Sequence, residues 1–82
     1  MTPQQVADLI RESIPGATVE VRSGDNVHFD SRVVSSEFAG KRPLQRHQLV
    51  YRALGDLMGG EIHALSIEAL TPEELQNTAR SA

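Results

Sequence analysis

Three histidines, His28, His47 and His63, carry most of the metal-binding and acid–base capacity of this chain. A neutral imidazole is a competent ligand for iron or zinc, but with no cysteine the chain offers no thiolate to a metal and no sulfur nucleophile. Two imidazoles without an assured carboxylate cannot complete a tetrahedral site, so a cluster held here would borrow thiolates from a partner. Taken alone, polar histidines at strand ends are the commoner explanation of His28 and His63. His47 falls between Leu44 and Tyr51 at helical spacing, where a packed histidine with one hydrogen-bonded nitrogen is expected rather than a ligand. Ser23, Asp25 and His28 come without a nucleophile elbow, a phosphate-binding glycine loop or facing carboxylates, so an enzyme is the weakest reading.

The second chemistry is basic. Lys41, Arg42, Arg46 and Arg52 make up half of the 8 Lys and Arg, within a stretch that has no acid. Such a cluster reads either as a solvated helix face or as a surface for an anion or a partner. The net charge of −3 argues against a dedicated nucleic-acid binder, which normally carries a surplus of Lys and Arg.

The elements that must position these residues are well marked. Thr2-Pro3-Gln4-Gln5 is a capping box with proline at the first helical position, and Val6, Leu9, Ile10 and Ile14 follow at helical spacing until Pro15-Gly16. Ala17, Val19 and Val21 alternate with polar residues as a strand with one buried face, and Ser23-Gly24-Asp25-Asn26 supplies a turn. A second strand, Val27 to Ser35, sets Phe29, Ser31 and Val33 on one face and His28, Asp30 and Arg32 on the other. After a connection around Phe38 and Gly40, a long helix starts near Pro43. It presents Leu44, His47, Val50, Tyr51, Leu54, Leu57 and Met58 on one face and ends at Gly59-Gly60. A third strand, Glu61 to Ala69, has Leu65 and Ile67 as its core pair, and Thr71-Pro72-Glu73-Glu74 caps a short last helix ending near Ser81.

The turn between strands one and two favours an antiparallel pair, and the helical crossover between strands two and three favours a parallel one. If strands two and three are neighbours, about 4.8 Å apart, His28 and His63 come to the same end of the sheet. Pleat parity opposes this: His28 lies on the face opposite Phe29 and His63 on the face of Leu65. A joint site therefore needs the hairpin end to twist or loosen.

Four short motifs stand in order along the chain: Phe38-Ala39-Gly40, Arg46-His47-Gln48-Leu49-Val50-Tyr51, Ile62-His63-Ala64-Leu65 and Thr71-Pro72-Glu73-Glu74. With His28-Phe29 upstream, they resemble the BolA family's F-x-G turn, R-H-x-x-V-Y helix, I-H-A-L strand and T-P-x-E helix start, over nearly all of residues 1–82. The resemblance implies one α+β domain, in the order α-β-β-α-β-α, with a three-stranded mixed sheet, helices on one face and a class II KH-like arrangement. Ser31 and Arg32 depart from the family's more apolar second strand and imply a thinner core or a more exposed strand end. BolA proteins are adaptors that pair with monothiol glutaredoxins. The resemblance therefore implies a heterodimer holding a 2Fe-2S cluster, with glutaredoxin and glutathione supplying the thiolates. It makes His63 the principal ligand from this side and His28 the second, variable one, with no cluster bound tightly by the isolated chain. On the same reading Lys41 and Arg46 belong to the partner surface, meeting glutathione carboxylates or acidic glutaredoxin residues.

The strongest rival is a DNA-binding transcriptional regulator using Lys41, Arg42, Arg46 and Arg52, since KH domains clamp a nucleic-acid backbone with a G-x-x-G loop. Gly40-Lys41-Arg42-Pro43 lacks the second glycine of that loop. A homodimer through the sheet edge or the long helix stays open. No apolar run approaches a membrane span and no secretory signal pattern opens the chain, so the cytoplasm is the default expectation.

Overall fold

A computed structural model describes residues 1–81, with side chains described through Thr78. The Thr2 hydroxyl accepts from the Gln5 backbone N–H at 3.2 Å, while Gln5 Oε1 accepts from the Thr2 N–H at 2.9 Å, and on this reciprocal cap α1 (Pro3–Ser13) begins. Its buried face is Val6, Ala7 and Ile10, continued by Ile14. β1 (Thr18–Arg22) pairs antiparallel with β2 (His28–Val34), and β2 pairs parallel with β3 (Ala64–Leu70), so β2 is the central strand. α2 (Pro43–Leu54) forms the crossover between β2 and β3, and α3 (Pro72–Ser81) follows β3. This is the α+β order expected from the caps and periodicities, with a compact core between the sheet and the helices.

That core contains Val6 and Ile10 of α1 with Ile14 just beyond it, Val50 and Leu54 of α2, and Val19, Phe29, Val33 and Leu65 of the sheet, closed by Phe38 and Ile62. Ser31 is buried among them, and its hydroxyl donates to the Ser66 carbonyl at 2.9 Å, which removes the penalty of an unpartnered polar group. The second strand therefore keeps full pairing despite its less apolar face. On the opposite, open face Arg32 pairs with Glu68, and Ser66 Oγ donates to Asp30 at 2.6 Å, as suits a solvated surface. At the outer edge of β1, Arg11 donates to the Val19 carbonyl at 3.0 Å and occupies part of that edge.

Three features differ from the sequence expectation. α2 stops at Leu54 rather than at Gly59-Gly60, because Gly55 takes φ 53° and ψ −129°, and a 3-10 turn, Gly55–Leu57, follows. The inward face of α2 is also rotated. Val50 and Leu54 are buried with Leu49 and Ala53 packed beside them, whereas Leu44 is 69% exposed and Tyr51 41%. β3 starts at Ala64, not Glu61. Ile62 is drawn fully into the core by a bridge to Met58, and this takes His63 out of the strand.

Candidate functional site: a histidine pair at one end of the sheet

The turn after β1 is built by two side chains. Ser23 Oγ accepts from the Asn26 N–H at 2.9 Å and donates to the His28 carbonyl at 2.5 Å. Asp25 Oδ1 accepts from the N–H groups of Val27 and His28 at 3.0 and 2.9 Å. Between them Asn26 takes φ 61°, a left-handed conformation that asparagine tolerates better than most residues. The other carboxylate oxygen of Asp25 lies 2.7 Å from His28 Nδ1. The His28 backbone N–H, then its ring, then the Val27 N–H hold the Asp25 carboxyl well below the usual carboxylate range.

His63 reaches the same place from the other side. Ile62 anchors the chain in the core, and the His63 N–H donates to the Val27 carbonyl at 2.8 Å, just before β3 begins opposite His28. Because His63 precedes the strand, the pleat no longer dictates its direction. The two imidazole centroids lie 6.0 Å apart with the planes inclined by 48°. Both residues are exposed. The parity conflict is thus resolved by a break at Ile62-His63, and the juxtaposition expected from the parallel pair is present.

As a donor set the pair is incomplete. Among the described residues no three His, Cys, Asp or Glu side chains gather as a metal-holding group. Two exposed imidazoles fit a metal group whose remaining ligands come from another molecule, each nitrogen ligating at about 2 Å. His47 is half-buried on α2 and joins no such group.

The basic residues do not form one patch. Arg46, expected on a partner surface, is turned inward with only 12% of its side chain exposed. It donates to both carboxylate oxygens of Glu74 at 2.6 and 3.1 Å, to the Ala69 carbonyl at 3.0 Å and to the Lys41 carbonyl at 2.9 Å. Its guanidinium also lies 5.9 Å from the centroid of Phe38. It is an internal tie between α2, β3 and α3, which corrects the sequence expectation. Lys41 and Arg42 remain exposed at the N-terminal end of α2, and Lys41 Nζ donates to the Glu37 carbonyl at 2.7 Å. α2 starts beyond the end of β2 and runs back toward the start of β3. Lys41 and Arg42 therefore lie at the end of the sheet opposite the histidines, about 20 Å away along β2. Exposed Arg52, in the last turn of α2, is at the histidine end.

Two contacts were not assigned their roles from the sequence. Asp25 as a partner of His28 was signalled by its place three residues upstream across a turn. The Arg46–Glu74 tie had no local signal, because Glu74 reads as the closing residue of the α3 capping box, a role it also fills. Arg46→Ala is expected to destabilise the fold by on the order of 1–3 kcal/mol, since it leaves two carbonyls and a carboxylate without their donor. Lys41→Ala, measured beside it in urea unfolding, should change little. The Arg46 guanidinium and the Thr71 N–H hold the Glu74 carboxyl down at about 2, against an ordinary 4.5. A depressed carboxylate stabilises the fold above its unfolded pKa and ceases to do so as pH falls through the folded one. Acid titration should therefore show wild-type stability falling between about pH 4.5 and 2, with a flatter profile for Glu74→Gln.

The family profile described as "BolA-like protein" matches residues 2–74. The chain is 41% identical over 75 residues to the "Uncharacterized protein in rpoN-murA intergenic region" of Acinetobacter guillouiae, covering 90% of this chain and 89% of that one. It is 46% identical over 56 residues to the "DNA-binding transcriptional regulator BolA" of Vibrio cholerae, covering 68% of this chain and 53% of that protein. A BolA protein homologue from Coxiella burnetii is a structural neighbour with TM-score 0.77 and 37% identity, covering 93% of this chain and 97% of the other. The BolA domain of SufE1 from Arabidopsis thaliana matches with TM-score 0.76 and 32% identity, covering 88% of this chain and 93% of that domain. No described helix is long and apolar enough to cross a membrane. Profile, relatives and topology agree with the motifs read from the residues: this chain belongs to the BolA family.

Proposed function

We propose that this protein is a non-catalytic adaptor that pairs with a monothiol glutaredoxin and lends imidazole ligands to a 2Fe-2S cluster shared with that partner and glutathione. The observation that carries the reading is the pair His28 and His63, exposed at one end of the sheet with ring centroids 6.0 Å apart, in a chain that has no thiolate of its own. His63 is the principal ligand and His28 the second. When bound, such a cluster exchanges electrons, and imidazole in place of thiolate raises its reduction potential. Arg52 and exposed Arg22, the last residue of β1, are basic residues at that end for a glutathione carboxylate, whereas Lys41 and Arg42 would need a partner that also spans the length of β2. A BolA domain within SufE1 is consistent with a module that works joined to another protein.

DNA binding is the second reading, favoured by the similarity to the DNA-binding transcriptional regulator BolA of Vibrio cholerae. The net charge of −3 and the internal use of Arg46 count against it. Titration into cluster-loaded monothiol glutaredoxin with glutathione, followed by size-exclusion mass and visible circular dichroism, separates the two. The adaptor reading expects a one-to-one complex with an altered cluster spectrum. No complex, together with salt-sensitive binding to a DNA duplex that is lost in Lys41→Ala/Arg42→Ala, would replace it with the second reading.

A further inference from the structure

We infer that Asp25 is a positioning residue that commits His28 to ligation through Nε2. The claim about ligation rests on the adaptor reading; the claim about the ring's protons in the free chain does not. Both oxygens of Asp25 are assigned: Oδ1 takes the N–H groups of Val27 and His28, and Oδ2 lies 2.7 Å from His28 Nδ1. An ionised carboxylate only accepts hydrogen bonds, so Nδ1 carries the proton. On the neutral ring the lone pair is then on Nε2, the nitrogen turned away from the carboxylate. Ser23 holds the turn from its other side through the Asn26 N–H and the His28 carbonyl, so the carboxylate and the ring are fixed to the same six-residue frame. A carboxylate behind a ligating imidazole orients the ring and raises its basicity, and removing such an outer partner typically costs 10–100-fold in metal affinity.

Asp25→Asn isolates this role, because asparagine can still accept the two backbone N–H groups through Oδ1 but presents an amide donor to Nδ1. The experiment is long-range proton–nitrogen correlation NMR on the free chain with 15N-labelled histidine, at mildly alkaline pH, with His28→Gln and His63→Gln for assignment. The expected result is His28 protonated at Nδ1 in the wild type, reversed toward Nε2 in Asp25→Asn, with His63 unmoved. A wild-type His28 protonated mainly at Nε2 overturns the proposal without any variant having to fold, and so does an Asp25→Asn tautomer identical to wild type. In the glutaredoxin complex, Asp25→Asn should raise the cluster's reduction potential while the one-to-one mass persists; an unchanged potential overturns the claim about ligation. Failure of the wild type to form that complex would defeat the adaptor reading and leave the tautomer result to stand or fall separately.

Discussion

His63→Ala should abolish the change in visible absorption and circular dichroism that this protein produces in a glutaredoxin-bound cluster, with the fold intact. The apparent affinity for the loaded partner should fall by roughly 100-fold or more, because loss of an outer-shell partner alone costs 10–100-fold and a direct ligand matters more. The fold should survive because the His63 ring is exposed and the anchor of that segment is Ile62, which is fully buried. Unfolding free energy should stay within about 0.5 kcal/mol of wild type, as for surface substitutions generally. His28→Ala should retain the complex with a weaker and differently shaped spectrum. If instead His28→Ala abolishes the change and His63→Ala leaves it intact, the order of the two ligands is reversed.

The largest stability effect is expected at Phe38. Its side chain is fully buried between the sheet and the helices, and Arg46 lies over its ring while tying α2 to α3. Phe38→Ala opens a cavity and costs about 3–5 kcal/mol. Against a total of about 5–15 kcal/mol for a small domain, this removes a large fraction of the stability. Urea unfolding monitored by circular dichroism checks this, and Phe38→Leu should recover part of the loss. A Phe38→Ala midpoint close to wild type would mean that this turn is not part of the cooperative core.

The order of elements was legible because it rests on local chemistry. The Thr2 and Thr71 capping boxes, the alternation through Val19 and Phe29, and a turn followed by a helical crossover together specify one antiparallel and one parallel pair. The position of His28 and His63 at one end of the sheet followed from that topology. What was not legible depends on tertiary choices. Apolar spacing continues from Leu54 across Gly55 to Leu57 and Met58, so periodicity extended α2 by a turn that the backbone of Gly55 ends. Leu44 and Tyr51 have the hydrophobicity of core residues, but the helix is rotated to face Leu49, Val50, Ala53 and Leu54 inward. The basic stretch looked continuous in sequence; in three dimensions Arg46 turns into the protein and Arg52 is separated from Lys41 and Arg42 by the length of α2. The parity conflict at His63 was real for a regular strand and vanished because Ile62 leaves the strand to fill the core.

The most direct measurement is pulsed electron paramagnetic resonance on the reduced cluster in the glutaredoxin complex, with 15N-histidine incorporated only into this chain. Strong 15N couplings from two imidazoles are expected, with one lost in His28→Ala and both lost, along with complex-specific features, in His63→Ala. A complex whose cluster shows no 15N coupling to this chain would contradict it, because His28 and His63 would then lie beside the cluster without ligating it.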